Sequence, residues 1–260
     1  MAKTRFISPV FHTPPACEII FRMSDLKTAK AEMVRDMFSS IAHRYDLLNH
    51  LLSFGMDIRW RKRAVACLGA LDGKHILDLA CGTGDLSIAV AAASGSVRVT
   101  GGDFSAKMVE IGRDKVATRG LDGRVTIEMA DALSLHYSDN RFDGATCAFG
   151  ARNFADLDRG LSEMARVIKP GGRLVILEFT TPSNPFFAAL YRLYFTRILP
   201  FAGGLISGNG GAYRYLPDSV YKFPGPDGFS EKILSAGFCG VTFTPLTFGI
   251  CGIHSATKGS

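Results

Sequence analysis

The stretch HILDLACGTGD, His75 to Asp85, decides how this chain reads. An apolar run ends in Asp78, and Gly82 and Gly84 bracket Thr83 where a helix begins. Glycines at such a turn let the backbone approach a ligand closely, and the helix start offers free N–H groups. Outward from it, short runs rich in Val, Ile and Leu alternate with longer helical patterns. HILDL is followed by a helix over Asp85–Ala93, VRVTGG by a helix over Ala106–Thr118, then RVTIEM and GATCAF, a helix over Leu157–Ile168 and RLVILEF. This alternation predicts an α/β fold, a mostly parallel sheet with helices on both faces. A helix over Phe229–Ala236 and two strands, GVTFTP and GICGIHS, close the chain.

At 260 residues the chain is long enough for a full core without staples. Its six cysteines (17, 67, 81, 147, 239 and 251) include no C-x-x-C pair, which excludes a zinc ribbon or disulfide framework and suits a reducing compartment. No metal constellation is expected. The net charge of +6 is a mild excess. No uninterrupted apolar run is long enough to span a bilayer, since Phe186–Ile206 is broken by Arg192, Arg197 and Pro200. We expect a loose leader over 1–27, N-terminal lid helices over 28–72 (patterned at Asp25–His43 and Asp57–Leu68), and a catalytic domain over 73–260. An insertion at about 181–228 carries an aromatic helix, Phe186–Leu199. The expected location is cytoplasmic.

Asp103 closes the second strand, 19 residues beyond Gly84, where a carboxylate can accept hydrogen bonds from ribose hydroxyls. Asp131 and Ala132 follow the third strand and can face an adenine edge. A dinucleotide site wants a third glycine or alanine where this chain has Ser87. Asp78 and Asp85 around the turn would repel a pyrophosphate but attract the sulfonium and ammonium of S-adenosylmethionine. The reading is therefore a methyl donor rather than NAD.

With these residues in view, the chain resembles the class I S-adenosylmethionine-dependent methyltransferases, and among them the UbiE/MenG family. YDLLNHLLSFGMDIRW (Tyr45–Trp60), LDLACGTGD, FGARNFAD (Phe149–Asp156), RVIKPGGRLVILEF (Arg166–Phe179) and AYRYLPDSVYKFP (Ala212–Pro224) carry the likeness. It implies a Rossmann-like seven-stranded sheet and transfer of a methyl group to a ring carbon of demethylmenaquinol or a related prenylated hydroquinone. The implied donor contacts fall on Thr83, Asp103, Asp131 and Ala132, with Asp78, Gly82, Gly84, Met108 and Ala148 completing the expected set. Three positions depart from the family pattern: Asp57 stands for a histidine, Ala148 for a serine and Thr180 for a serine.

Substrate chemistry in doubly wound folds lies at the carboxyl ends of strands, which selects Arg152 and Asn153, just past the fourth. Arg152 can stabilise a developing phenolate and Asn153 can orient a ring oxygen. Alternatively, Arg152 forms a structural ion pair with Asp46 or Asp156. Tyr45 is a further catalytic candidate, with Asp46 and Asn49 beside it on the lid and His254 on the last strand as substrate contacts. The aromatic helix and the N-terminal helices are the expected home of a polyprenyl tail. The cluster Arg59–Arg63 is either a solvated face or a peripheral contact with anionic headgroups. Partners are then the lipid quinol, a membrane surface and a second copy of the chain, with no nucleic acid. Two other functions stay open: an NAD(P)-dependent oxidoreductase, and a non-catalytic donor-binding scaffold of a quinone-synthesis complex.

Overall fold

In the computed structural model the described residues are 16–198 and 210–260. They form a seven-stranded sheet in the order β3-β2-β1-β4-β5-β7-β6. The strands are β1 (His75–Leu79), β2 (Arg98–Asp103), β3 (Val125–Met129), β4 (Phe142–Ala148), β5 (Ile168–Phe179), β6 (Phe238–Leu246) and β7 (Cys251–Lys258). The first five run parallel, and β7 is antiparallel to both β5 and β6. The order reverses between β1 and β4, so a crevice opens at the carboxyl ends of these two strands.

Helices α1 (Ala16–Leu52) and α2 (Met56–Ala66) precede the sheet. Between the strands run α3 (Asp85–Ala93), α4 (Ala106–Thr118) and α5 (Leu157–Val167). After β5 come α6 (Pro185–Leu193), a π-helical turn Tyr194–Ile198, α7 (Gly210–Lys222) and α8 (Pro226–Ser235). Local chemistry sets several of these starts. The Ser105 hydroxyl accepts from the Met108 N–H to cap α4, Asp156 accepts from Arg159 N to cap α5, and Asn184 caps α6 with Pro185 in its first turn.

Three elements differ from expectation. α1 is one continuous helix beginning at Ala16, well inside the stretch expected as a loose leader over 1–27; residues 1–15 lie outside the described residues. The aromatic helix is shorter than Phe186–Leu199 because it passes into the π-helical turn; Leu199 also lies outside the described residues. The 210–222 helix carries no helix expectation at all, since Pro217 inside it hides the pattern.

The core is split by the sheet. Trp60, Val65, Ile76, Leu86, Val90, Val99 and Val175 pack on one face, beneath α2, α3 and α4. On the other face Leu77, Phe142, Leu161, Met164, Ile176 and Phe229 pack beneath α5 and α8. Helix α1 packs across α4 instead of onto the sheet, so its inner face roofs the crevice. No described helix is long and apolar enough to cross a membrane.

Candidate functional site

The turn after β1 takes its shape from two left-handed glycines, Gly82 (φ 56°) and Gly84 (φ 82°). The next crossover crowds against it: a Cβ on Gly150 would come within 2.5 Å of the Ala80 Cβ, so only glycine lets FGARN close on the turn. The Asp103 carboxylate braces both sides. It accepts from the Gly82 N–H at 2.8 Å and from the Ser105 N–H at 2.9 Å. Burial nevertheless raises its pKa above the ordinary carboxylate value.

Two adjoining cavities open at this point. One, of about 360 Å³, is lined by Gly82, Asp103, Met108, Asp131, Ala132 and Ala148, with Asn153 at one side and the Glu32–Arg35 stretch of α1 above. The other, of about 420 Å³, lies between α1, α2, α6 and the π-helical turn, and its wall is overwhelmingly apolar: Ile41, Trp60, Phe179, Phe187, Tyr191 and Phe195 are typical. Phe38, Tyr45 and Phe149 belong to both walls. The Tyr45 ring lies over the turn, its Cε1 3.8 Å from where a Gly82 Cβ would be. Burial raises the Tyr45 pKa, opposed by the nearby Arg152 charge and an Asn49 hydrogen bond, so its hydroxyl stays protonated at neutral pH.

Several expected residues sit elsewhere. Asp78 is fully buried under the turn, accepting from Ser87 Oγ at 2.6 Å and Thr146 Oγ1 at 2.8 Å, and reaches neither cavity. Burial pushes its pKa up to about 6. Thr83 is also buried; its hydroxyl donates to Asp46 Oδ1 at 2.5 Å, and Gly84 lies behind it, outside both walls. Asp46 is therefore a strut and lines neither cavity. With Lys115, which is 2.7 Å from Asp46 and 2.5 Å from Asp85, it fastens α1 to the glycine-rich turn and to α4. These pairings correct the electrostatic picture. Asp78 and Asp85 are spent inside the scaffold, and the carboxylates lining the smaller cavity are Asp103 and Asp131 at the strand ends and Glu32 on α1.

His254 is likewise displaced from the site. It lies against Phe229 and Phe243 beneath α8, with Nε2 3.1 Å from the Pro226 carbonyl, and burial lowers its pKa. On β7 it pairs with Ile176, a residue of the face away from α2, so it cannot reach the cavities. Thr180 donates to the Gly249 carbonyl at 2.7 Å and supports the turn before β7.

Arg152 lines the apolar cavity, and its ion-pair partner is Glu178 instead of Asp46 or Asp156. Nη1 is 2.7 Å from Glu178 Oε1, both side chains are buried, and the guanidinium lies 5.5 Å from the Phe179 ring centre. Burial opposes the charge, yet Glu178 raises the Arg152 pKa, so this cation is permanent. Asn153 faces the other cavity, its Oδ1 accepting from Tyr215 at 3.1 Å. Asn49 lines the apolar cavity, as does Asp57. The Asp57 carboxylate is held by Ser53 Oγ at 2.8 Å, His50 Nδ1 at 2.7 Å and Arg61. Burial pushes its pKa up, but hydrogen bonds from Ser53 and Arg61 more than offset that and keep it ionised.

Sequence reasoning missed Phe38, Lys115, Glu178 and Tyr215. Phe38 and Lys115 read as ordinary helix residues. Glu178 and Tyr215 stand in quoted motifs, but nothing local marks them as partners of Arg152 and Asn153.

The cavity beside Asp103 and Asp131 fits an adenosyl group carrying positive charge. Two carboxylates stand at strand ends and Ala132 and Met108 offer apolar contact, while the nearby cations are already paired, Arg35 of the wall with Asp36 and Lys115 beside the turn with Asp46 and Asp85. Fold and site define a Rossmann-like S-adenosylmethionine-dependent methyltransferase. The model of the ubiE/COQ5 methyltransferase family matches residues 23–258, and the chain belongs to that family. It is 50% identical over 233 residues to the ubiquinone/menaquinone biosynthesis C-methyltransferase UbiE of Geobacter sulfurreducens, covering 89% of this chain and 91% of that one. It is 53% identical over 218 residues to the demethylmenaquinone methyltransferase of Thermus thermophilus, covering 84% and 98%. Among solved structures it is similar to the cyclase SpnF (TM-score 0.66, 18% identity, covering 87% and 95%). It is also similar to phosphoethanolamine N-methyltransferase 2 of Haemonchus contortus in complex with S-adenosyl-L-methionine (TM-score 0.57, 17% identity, covering 76% and 52%). These two share the fold, which does not by itself fix the reaction.

Proposed function

We propose that this chain methylates a ring carbon of a prenylated hydroquinone, demethylmenaquinol in the first place, and that its two cavities divide the work. One observation carries the proposal: a carboxylate-lined cavity and an apolar cavity meet at a common wall of Phe38, Tyr45 and Phe149. S-adenosylmethionine, when bound, supplies an electrophilic methyl group. Asp103 and Asp131 hold its ribose and adenine side, Ala132, Met108 and Ala148 pack against it, and Gly82 leaves it room. The aromatic wall suits a sulfonium, since ring faces attract cations, and it keeps water from the reacting atoms.

On the acceptor side the apolar cavity takes the ring and the start of the tail. Arg152 is too firmly cationic to accept a proton, so its part is to stabilise the phenolate oxygen left when a ring hydroxyl gives its proton to water at the cavity mouth, which raises electron density at the neighbouring carbon; the proton that this carbon sheds on methylation leaves to water by the same route. The Tyr45 hydroxyl serves as a hydrogen-bond donor at the junction, with Asn49 orienting it and Asn153 fixing the turn beside it. In-line transfer needs donor and acceptor held in register, and the Asp46–Thr83–Lys115 tie supports that register by fixing the roof.

The test is turnover with the methyl donor against reduced demethylmenaquinone and a benzoquinol analogue side by side. Faster methylation of the naphthoquinol is expected. Turnover of neither, with donor binding intact, would leave the scaffold reading in its place. Reduction of a nicotinamide cofactor without methyl transfer would point to the oxidoreductase.

A further inference from the structure

The mouth of the apolar cavity is surrounded by side chains that a protein surrounded only by water has no reason to expose. Three segments far apart in sequence each raise an aromatic ring there. Phe54 stands in the α1–α2 turn, Phe186 at the start of α6 and Phe248 in the turn between β6 and β7, with 85%, 71% and 69% of their surface exposed. Phe54 belongs to the cavity wall itself, Phe248 stacks at 4.3 Å on the wall residue Phe187, and Phe186 packs edge-on against that same ring. Leu51 at the end of α1 and Leu190 and Leu193 on α6 are each more than half exposed, and Leu190 lines the cavity.

The backbone is bent to present these rings. Phe54 (φ 53°) and Phe248 (φ 57°) both occupy the left-handed region, which a bulky aromatic side chain adopts only under strain. Partly buried hydrogen bonds hold the segments together. Tyr194 donates to the Leu52 carbonyl at 2.6 Å, tying the π-helical turn to the end of α1, and Trp60 Nε1 donates to Thr247 Oγ1 at 2.8 Å, tying α2 to the β6–β7 turn. A rigid apolar rim of this size marks an interaction surface.

Charge says which kind. Arg59, Lys62 and Arg63 on α2, and Arg192 and Arg197 on α6 and the π-helical turn, are exposed and form no ion pair with any described residue. Unpaired cations flanking exposed aromatic and leucine side chains match the two layers of an anionic bilayer, headgroup phosphates outside and acyl chains beneath.

We infer that the rim of Phe54, Phe186 and Phe248 docks onto an anionic lipid bilayer, with the flanking arginines and lysine on headgroup phosphates, so that a lipid acceptor passes from the membrane into the cavity without crossing water. This rests on the prenylated acceptor proposed above, but the docking surface can be tested without any acceptor.

The experiment is co-sedimentation of the full chain with vesicles of phosphatidylcholine alone or with phosphatidylglycerol added, at low and high salt. Wild type is expected to bind the phosphatidylglycerol vesicles at least ~10-fold better than the neutral ones and to lose that preference in high salt. The double variant Phe186→Ser/Phe248→Ser should lose most binding to either, and Arg63→Glu/Arg192→Glu should lose only the preference for phosphatidylglycerol. Both should keep wild-type turnover of a tail-less, water-soluble hydroquinol, which confirms folding. Wild type that ignores phosphatidylglycerol vesicles, variants that bind as wild type does, or a dimer in sedimentation that these substitutions dissociate would each overturn the docking surface. Failure of wild type to methylate any hydroquinol would instead sink the proposed reaction and leave the vesicle result standing.

Discussion

The two cavities share a wall but are built in opposite ways. The donor-side cavity is made mainly from successive strand ends: Gly82 after β1, Asp103 ending β2, Asp131 and Ala132 after β3 and Ala148 ending β4. Its fixed partners are mostly backbone N–H groups. The acceptor-side cavity is assembled from α1, α2, α6, the π-helical turn, α7 and the β6–β7 turn, and is held by side-chain pairs such as Arg152–Glu178 and Trp60–Thr247. A parallel sheet delivers the first wherever its strands stop. The second exists only when distant helices meet, so its shape can change with substrate while the first stays constant.

If that contrast is right, the largest effect comes from the Arg152 pair. Arg152→Ala leaves the Glu178 carboxylate buried without its cation, and about 3–5 kcal/mol of stability should be lost in denaturant titration. In Arg152→Met/Glu178→Gln, stability should return while turnover stays absent and calorimetric donor binding stays near wild type. Recovery of turnover in the double variant would remove Arg152 from the chemistry.

Asp78 belongs to the scaffold side. Its pKa is raised from 3.8 to about 6 by burial, so the folded chain holds the proton more tightly than the unfolded one. The stability this contributes is fully present below the unfolded value and is lost as pH rises through about 6. Asp78→Asn should erase that slope, changing the wild-type-minus-variant difference by roughly 3 kcal/mol across the window. Parallel stability curves for the two proteins would contradict the buried assignment.

Asp103 lines the cavity proposed for the donor. Asp103→Ala should weaken S-adenosylmethionine binding by roughly 2 kcal/mol, about 30-fold, in calorimetry, through lost hydrogen bonds to a charged acceptor. Unchanged affinity would move the donor out of this cavity. The smallest effect is expected at the cavity mouth, where Ile198 lines the wall at the end of the π-helical turn. Ile198→Gln should raise KM for a long-tailed acceptor about fivefold, roughly 1 kcal/mol, with donor affinity untouched. An equal change for a tail-less acceptor would place the tail elsewhere.

The sequence by itself determined the sheet, the glycine-rich turn and the placing of Asp103 and Asp131 at strand ends that border one cavity, because strand ends and left-handed turns are written in local patterns of periodicity and glycine. It could not separate Asp78 from Asp103, since two aspartates at neighbouring strand ends look alike until one is capped by Ser87 and Thr146 and the other opens on a cavity. Tertiary structure alone decided that Asp46 braces the turn with Lys115, that Glu178 answers Arg152 and that His254 is core. Asp46 and Lys115 are 69 positions apart, Arg152 and Glu178 26, and His254 and the Pro226 carbonyl 28. Contacts of that reach depend on how helices cross the sheet, and no local pattern in the chain encodes that crossing.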